Sequence, residues 1–282
     1  MPYQAEISRT NPTLFIFLLD QSGSMSDQFG GSSPGIRKAQ GVADAINRML
    51  SNLTIRCSQG EIIRDYFDVA VLGYGAQSGQ AAPALGGQLA GKEVVTVSEL
   101  GSFPARVEDR VVKQPDGAGG VIDVALKFPI WFEAVADDGT PMCQALRLSH
   151  QIAGDWIQSH KSAFPPIVIN LTDGAATDGD PLQPAKELTQ LTTDDGHVLL
   201  FTCHISSAVS ASVQFPESTV DIPDEYGKKM FEMSSPLTPS MVDFAKKQGF
   251  QVTDKSRGFM FQADLVDVIR FLDIGTRPKE LR

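Results

Sequence analysis

The stretch that decides the reading is Leu14-Phe15-Ile16-Phe17-Leu18-Leu19-Asp20-Gln21-Ser22-Gly23-Ser24. Its unbroken apolar run predicts a strand buried on both faces, as in the middle of a parallel sheet. Where the run ends, the chain places a carboxylate and then hydroxyls at two-residue steps, with Gly23 between the hydroxyls to allow a tight turn. In a locally extended turn, residues two apart project to one side, so Asp20, Ser22 and Ser24 converge on one point. Three hard oxygen donors suit a hard cation such as Mg²⁺. A Ser/Gly turn that solvates its own hydroxyls is the plain alternative for the same five residues.

Outward from this stretch the periodicity alternates. Ser33-Pro34 reads as a helix start, and Ile36, Ala39, Val42, Ala43, Ile46, Met49, Leu50 and Leu53 form the apolar face of the helix that follows. A second buried strand is predicted over 67–74, parallel to the first unless it lies at an edge. From 75 to 129 the rhythm breaks into glycine-rich sequence and short β-like runs at 93–97, 107–113 and 121–128, with a turn at Pro115-Asp116-Gly117, which predicts an inserted β extension. The α/β rhythm resumes at 130–135. It continues with a helix from Met142 to Ile157, a strand over 167–172, a helix from Asp180-Pro181 to Leu191 and a strand over 198–205. Helices at 224–233 and 239–248, a short strand at 258–261 and a helix at 264–271 complete the pattern. This predicts an α/β fold: a Rossmann-like, doubly wound, mostly parallel sheet with helices on both faces. The expected organisation is one domain over 1–282, with its core at 13–273 and the insertion at 75–129.

With 42% hydrophobic and 21% charged residues, the composition is globular rather than disordered. The formal charge of −10 disfavours a phosphate backbone as partner, so no nucleic-acid binding is expected. The first residues lack a basic segment followed by an apolar core, and no apolar run reaches the roughly 18 residues of a membrane span. A soluble, cytoplasmic protein is expected. Cys57, Cys143 and Cys203 are odd in number and far apart, and the four histidines lack ligand spacing, which leaves disulfide and zinc chemistry unsupported.

In doubly wound folds, ligands bind beyond the carboxyl ends of the strands. Asp20 and Asp173 each follow a predicted buried strand, and Thr140 lies in a loop that opens a helix at Pro141. Asp178 and Asp180 are candidates to extend this face, although Asp180 before Pro181 reads as a helix cap, and Asp194-Asp195-Gly196 reads as a turn. Asp20-x-Ser22-x-Ser24, Gly139-Thr140-Pro141 and Thr172-Asp173-Gly174 together resemble the metal-ion-dependent adhesion site of von Willebrand factor type A (VWA) domains. The resemblance implies a divalent metal, Mg²⁺ or Mn²⁺, with Asp20, Ser22, Ser24, Thr140 and Asp173 forming its inner and water-mediated shells, and a binding rather than catalytic role. The implied partner is a protein that supplies an Asp or Glu carboxylate. The chain is similar to stand-alone cytosolic VWA proteins of the tellurium-resistance type, which implies a signalling or stress-response setting with a Ser/Thr kinase and a PP2C-type phosphatase.

Chemistry leads to the same expectation. Two carboxylates and three neutral hydroxyls leave a divalent ion electrophilic and open to an external anionic oxygen. The rival readings are a Mg²⁺-dependent hydrolase or phosphotransferase and a metal-free structural subunit. Against the first, position 22 carries Ser rather than a second carboxylate, and the sequence has no glycine-lysine phosphate loop.

Overall fold

The computed structural model describes residues 2–30, 35–76, 79–115, 120–208 and 211–277, with side chains omitted at 112–115. Strand β1 (Thr13–Asp20) leads through a 3-10 turn at Gly23–Ser26 to helix α1 (Lys38–Cys57). A two-residue hairpin, β2 (Ser58–Gln59) with β3 (Ile62–Ile63), returns the chain to β4 (Phe67–Tyr74). Next come β5 (Ala81–Pro83), β6 (Val95–Thr96), α2 (Val97–Ser102) and a ten-residue hairpin pair, β7 (Arg106–Pro115) and β8 (Val121–Ile130). The second half contains α3 (Met142–Ser159), β9 (Ile167–Thr172), α4 (Leu182–Gln190), the small hairpin β10 (Thr192–Thr193) and β11 (Gly196–His197), and β12 (Leu199–Ile205). It closes with β13 (Val213–Gln214), α5 (Glu225–Met233), α6 (Pro239–Lys247), β14 (Phe259–Ala263) and α7 (Leu265–Gly275).

The main sheet runs β13-β14-β12-β9-β1-β4-β5, with β6 also on β4. Its five inner strands are parallel, while β13, β5 and β6 are antiparallel. Successive side chains of a strand point to opposite faces, and β1 uses both. Phe15, Phe17 and Leu19 pack with apolar residues of α1, α2, α6 and α7, whereas Leu14, Ile16 and Leu18 pack with those of α3 and α4. All are fully buried, and each contributes roughly 1.5–3 kcal/mol. The result is a doubly wound α/β sheet, as the periodicity predicts, with β4 parallel to β1.

Three expectations need revision. The region 75–129 divides: β5 and β6 extend the main sheet, and Leu89, Val97 and Leu100 lie in the core, so only the β7–β8 hairpin projects as an extension. The expected strand at 93–97 stops after Val95–Thr96, because Thr96 and Glu99 form a reciprocal capping box that starts α2. Residues 131–135 form no strand; Trp131 and Phe132 are buried in irregular backbone instead. The predicted helix start at Ser33-Pro34 and the turn at Asp116-Gly117 lie outside the described residues.

Asn47 of α1 explains how residues 131 and 132 dispense with a ladder. Its Oδ1 accepts from the amides of Trp131 (2.8 Å) and Phe132 (3.0 Å), and its Nδ2 donates to the Phe132 carbonyl (2.8 Å). Asn47→Ala leaves these buried backbone groups unpaired. Urea denaturation of the variant is expected to show a loss of about 2–4 kcal/mol; a loss below about 1 kcal/mol would mean that water replaces the side chain.

Candidate metal centre

β1 and β9 are neighbours, but the chain leaves them in opposite directions. After β1 it passes to α1 on one face, and after β9 it passes to α4 on the other. The diverging loops open a crevice at the carboxyl ends of the two strands, where doubly wound folds bind ligands. The register Leu19↔Leu171 sets Asp20 beside Thr172.

Asp20 is 2% exposed, and both of its carboxylate oxygens are engaged. Oδ1 accepts from the Ser22 amide at 2.8 Å, and Oδ2 accepts from the Thr172 hydroxyl at 2.6 Å. Burial pushes its pKa up to about 6, against the lowering effect of the Ser22 and Thr172 hydrogen bonds. The hydroxyls of Ser22 and Ser24 stand 3.1 Å apart, and Ser24 Oγ donates to Asp173 Oδ1 at 2.7 Å. The structure thus brings Asp20, Ser22, Ser24 and Asp173 together. Thr140, 5% exposed, lies near them: its Oγ1 is 3.7 Å from the position that a Cβ on Gly174 would take.

These oxygens suit a small divalent cation. Such a cation takes carboxylate and hydroxyl oxygens of this kind; here the Ser22 and Ser24 hydroxyls and the Asp173 carboxylate are hydrogen-bonded to one another at 3.1 and 2.7 Å. Among the described residues no group of three or more His, Cys, Asp or Glu is placed to hold a metal ion; the oxygens gathered here are those of two carboxylates and of hydroxyls.

Backbone hydrogen bonds tie the surrounding loops together. Gly23 N donates to Asp138 O, Asp137 N to Gln21 O, and Asp138 N to Gly75 O. Thr140 is held from the β9 side, its amide donating to Thr177 Oγ1 and its carbonyl accepting from Thr177 N. Asp178 does not face the crevice; its carboxylate accepts from the amides of Cys143 and Gln144 at the start of α3. Asp180 takes the amide of Leu182 at the start of α4, close to its expected capping role, and pairs with Lys229. Asp27, Asp137 and Asp138 are exposed around the site, and a groove of about 460 Å³ beside it is lined by residues including Gln21, Glu133 and Asp137.

Sequence reasoning missed four residues here. In the Thr172-Asp173-Gly174 motif the pattern points to Asp173, yet the Thr172 hydroxyl is Asp20's partner. Lys38 is 5% exposed and donates to Asp173 Oδ2 at 2.7 Å; the available signal was a lysine four residues before Val42, in phase with the buried face of α1. Tyr226 donates to the Gly174 carbonyl, and burial raises its pKa above the usual phenol range. His204 stacks on Phe261 and hydrogen-bonds the Asp173 backbone; burial lowers its pKa to about 4, so the ring is neutral at pH 7.

No protein family model matches this chain, and no curated protein does. Among solved structures, the chain is similar to proximal thread matrix protein 1 from the mussel byssus, with 11% identity and a TM-score of 0.48. That match covers 97% of this chain and 49% of the other, so the chain spans about half the length of the mussel protein structure. It is also similar to the vWF domain of the type V pili tip protein Mfa5 from Porphyromonas gingivalis, with 14% identity, a TM-score of 0.34, and coverage of 96% of this chain and 98% of that one.

Gly75 fixes how closely the loops approach. Its φ is +109°, and an added Cβ would lie 2.4 Å from the Gly139 carbonyl oxygen and 2.9 Å from the Ser22 amide. Gly75→Ala is expected to lower stability by about 1–3 kcal/mol, measured by thermal or urea denaturation. Unchanged stability would show that the loops can part without cost.

Proposed function

We propose that this chain is a metal-dependent protein-binding module of VWA type, with a binding rather than catalytic role. The observation that supports it is the convergence of two buried carboxylates with serine hydroxyls in the crevice beyond β1 and β9. Asp20, Ser22, Ser24, Thr140 and Asp173 would hold Mg²⁺ or Mn²⁺. When bound, such an ion supplies an electrophilic point that accepts a carboxylate from a protein partner. Asp20 and Asp173 contribute charge, and the hydroxyls contribute neutral oxygen. The exposed carboxylates of Asp27, Asp137 and Asp138 favour a partner whose Asp or Glu is flanked by Lys or Arg, since complementary charge speeds encounter and rejects wrong partners. A cytoplasmic setting beside a Ser/Thr kinase and a PP2C-type phosphatase, as in tellurium-resistance proteins, belongs to the proposal on the resemblance alone. No helix among the described residues is long and apolar enough to cross a membrane.

One observation favours the second reading, a metal-free structural subunit: Lys38 already supplies Asp173 with a cation. Two measurements decide between the readings. Calorimetric titration of Mg²⁺ into the wild-type chain is expected to give one site, abolished in Asp20→Ala, with Zn²⁺ bound less well than Mg²⁺ because the donors are hard. Recovery of partners from the native lysate is expected to need Mg²⁺ and to fail in EDTA. Thr140→Ala is expected to weaken the partner more than the ion, because a neutral hydroxyl adds little metal affinity but helps position the partner's carboxylate. Unchanged Mg²⁺ affinity in Asp20→Ala, or equal recovery in all conditions, would overturn the proposal.

A further inference from the structure

Lys38 is placed where a lysine has little local reason to be. It is the first residue of α1, where the helix macrodipole disfavours a positive charge, and its side chain is 6% exposed. Backbone hydrogen bonds fix its place: Phe29 N donates to Ile36 O and Lys38 N to Asp27 O, both at 2.8 Å. Gly30 N is tied to Ser206 O beyond β12, and Phe29 is buried against α1 at Gly41. The ammonium then donates to Asp173 Oδ2 at 2.7 Å and to the Ser24 carbonyl at 3.3 Å, and lies 3.7 Å from Asp27 Oδ2. The Asp173 side chain is fully shielded from solvent. One of its oxygens is held by Lys38 and the other by Ser24.

We infer that Lys38 is a resident counter-cation of the metal centre, which closes the site around Asp173 in the absence of metal and against whose charge a divalent ion must bind. The inference rests on the metal-binding reading and assigns its regulation. Burying the Asp173 carboxylate without compensation is strongly unfavourable, and here Lys38 and Ser24 supply the compensation. Lys38 meets that need without metal, which lets the chain keep its fold in a metal-poor state. The same positive charge, one carboxylate away from the ion's position, lowers affinity for the ion and keeps the site partly unfilled until an external anion adds its own negative charge. Lys38 is therefore a positioning residue that sets metal affinity, not a ligand.

The test compares wild type, Lys38→Gln and Lys38→Arg by Mg²⁺ calorimetry and by thermal denaturation in EDTA and in excess Mg²⁺. Lys38→Gln keeps most of the side-chain length and removes the charge. It is expected to bind Mg²⁺ at least tenfold more tightly than wild type and to gain far more thermal stability from Mg²⁺. Lys38→Arg, which retains the charge, is expected to bind within about threefold of wild type. A Lys38→Gln chain that unfolds in EDTA and folds in Mg²⁺ supports the inference. Mg²⁺ binding by wild type with equal or weaker binding by folded Lys38→Gln would overturn it. So would a Lys38→Gln chain that stays unfolded in excess Mg²⁺, because the ion would then not substitute for the ammonium. Absence of binding in both folded chains would instead overturn the metal reading, and the inference with it.

Discussion

Asp20 stands at the end of a strand whose every residue from Thr13 onward is buried, and the surroundings of its carboxylate dictate much of the rest of this face. A buried carboxylate without hydrogen bonds is too costly to keep charged. Its partners come from the next turn, through the Ser22 amide, and from the adjacent strand, through the Thr172 hydroxyl. The second partner exists only in one register of β1 on β9, since a one-residue slip would turn Thr172 to the opposite face of the sheet. Below it, Tyr74 of β4 donates to Asn170 of β9 at 2.7 Å, so a second buried polar contact links the strands on either side of β1. Parallel order, register and the oxygen cradle are therefore one constraint seen at three scales.

The loops around the cradle obey the same accounting of polar groups. Gln21, Gly23 and Gly75 exchange backbone hydrogen bonds with residues 137 and 138, so the turn after β1 is braced by the segment that precedes α3. That segment is in turn anchored by Asn47 at Trp131 and Phe132, where no strand is available to satisfy the backbone. The β7–β8 hairpin hangs from this anchor, and its Arg110, which lies over Phe128, pairs with Asp44 of α1. Its outward face carries the exposed Val107 and Val111 together with the Lys127–Asp109 pair. β5, β6 and α2, by contrast, are part of the sheet and its core.

What was legible in the sequence was periodicity and what was hidden was partnership. The unbroken apolar run of β1, the matching runs at β4, β9 and β12, and the three- and four-residue steps of α1 and α3 each state burial directly, so the doubly wound order follows from them. The convergence of Asp20, Ser22, Ser24 and Asp173 was legible because strand ends and alternation fix where those side chains point. Short elements were less so. α2 is six residues long and owes its start to one Thr96–Glu99 capping box, a signal that competes with the β-like character of Val94, Val95 and Val97. Trp131 and Phe132 have the composition of a strand, and only a distant asparagine tells that they are not one. Lys38 was hidden for a related reason: a lysine at a helix start normally reads as solvated, and its partner lies 135 residues away.

That lysine changes the meaning of the hydroxyls. Counted as two carboxylates and one ammonium, the groups that meet at Asp20, Asp173 and Lys38 sum to one negative charge; in the proposed module a divalent ion would turn this to one positive, and a single external carboxylate would return it to zero. Had Ser22 or Ser24 been an aspartate, the cradle would already balance the ion, and a partner's carboxylate would be repelled rather than needed. Neutral oxygens at 22 and 24 keep the coordination hard without satisfying the charge, and the ammonium sharpens the deficit. Around this centre Asp27 approaches the ammonium to 3.7 Å, while Asp137 and Asp138 are exposed and screened by water. In the proposed module these carboxylates would favour the basic flanks of a partner. A site assembled in this way would there hold an ion poorly alone and better together with a partner, which is the behaviour expected of a contact that must be reversible.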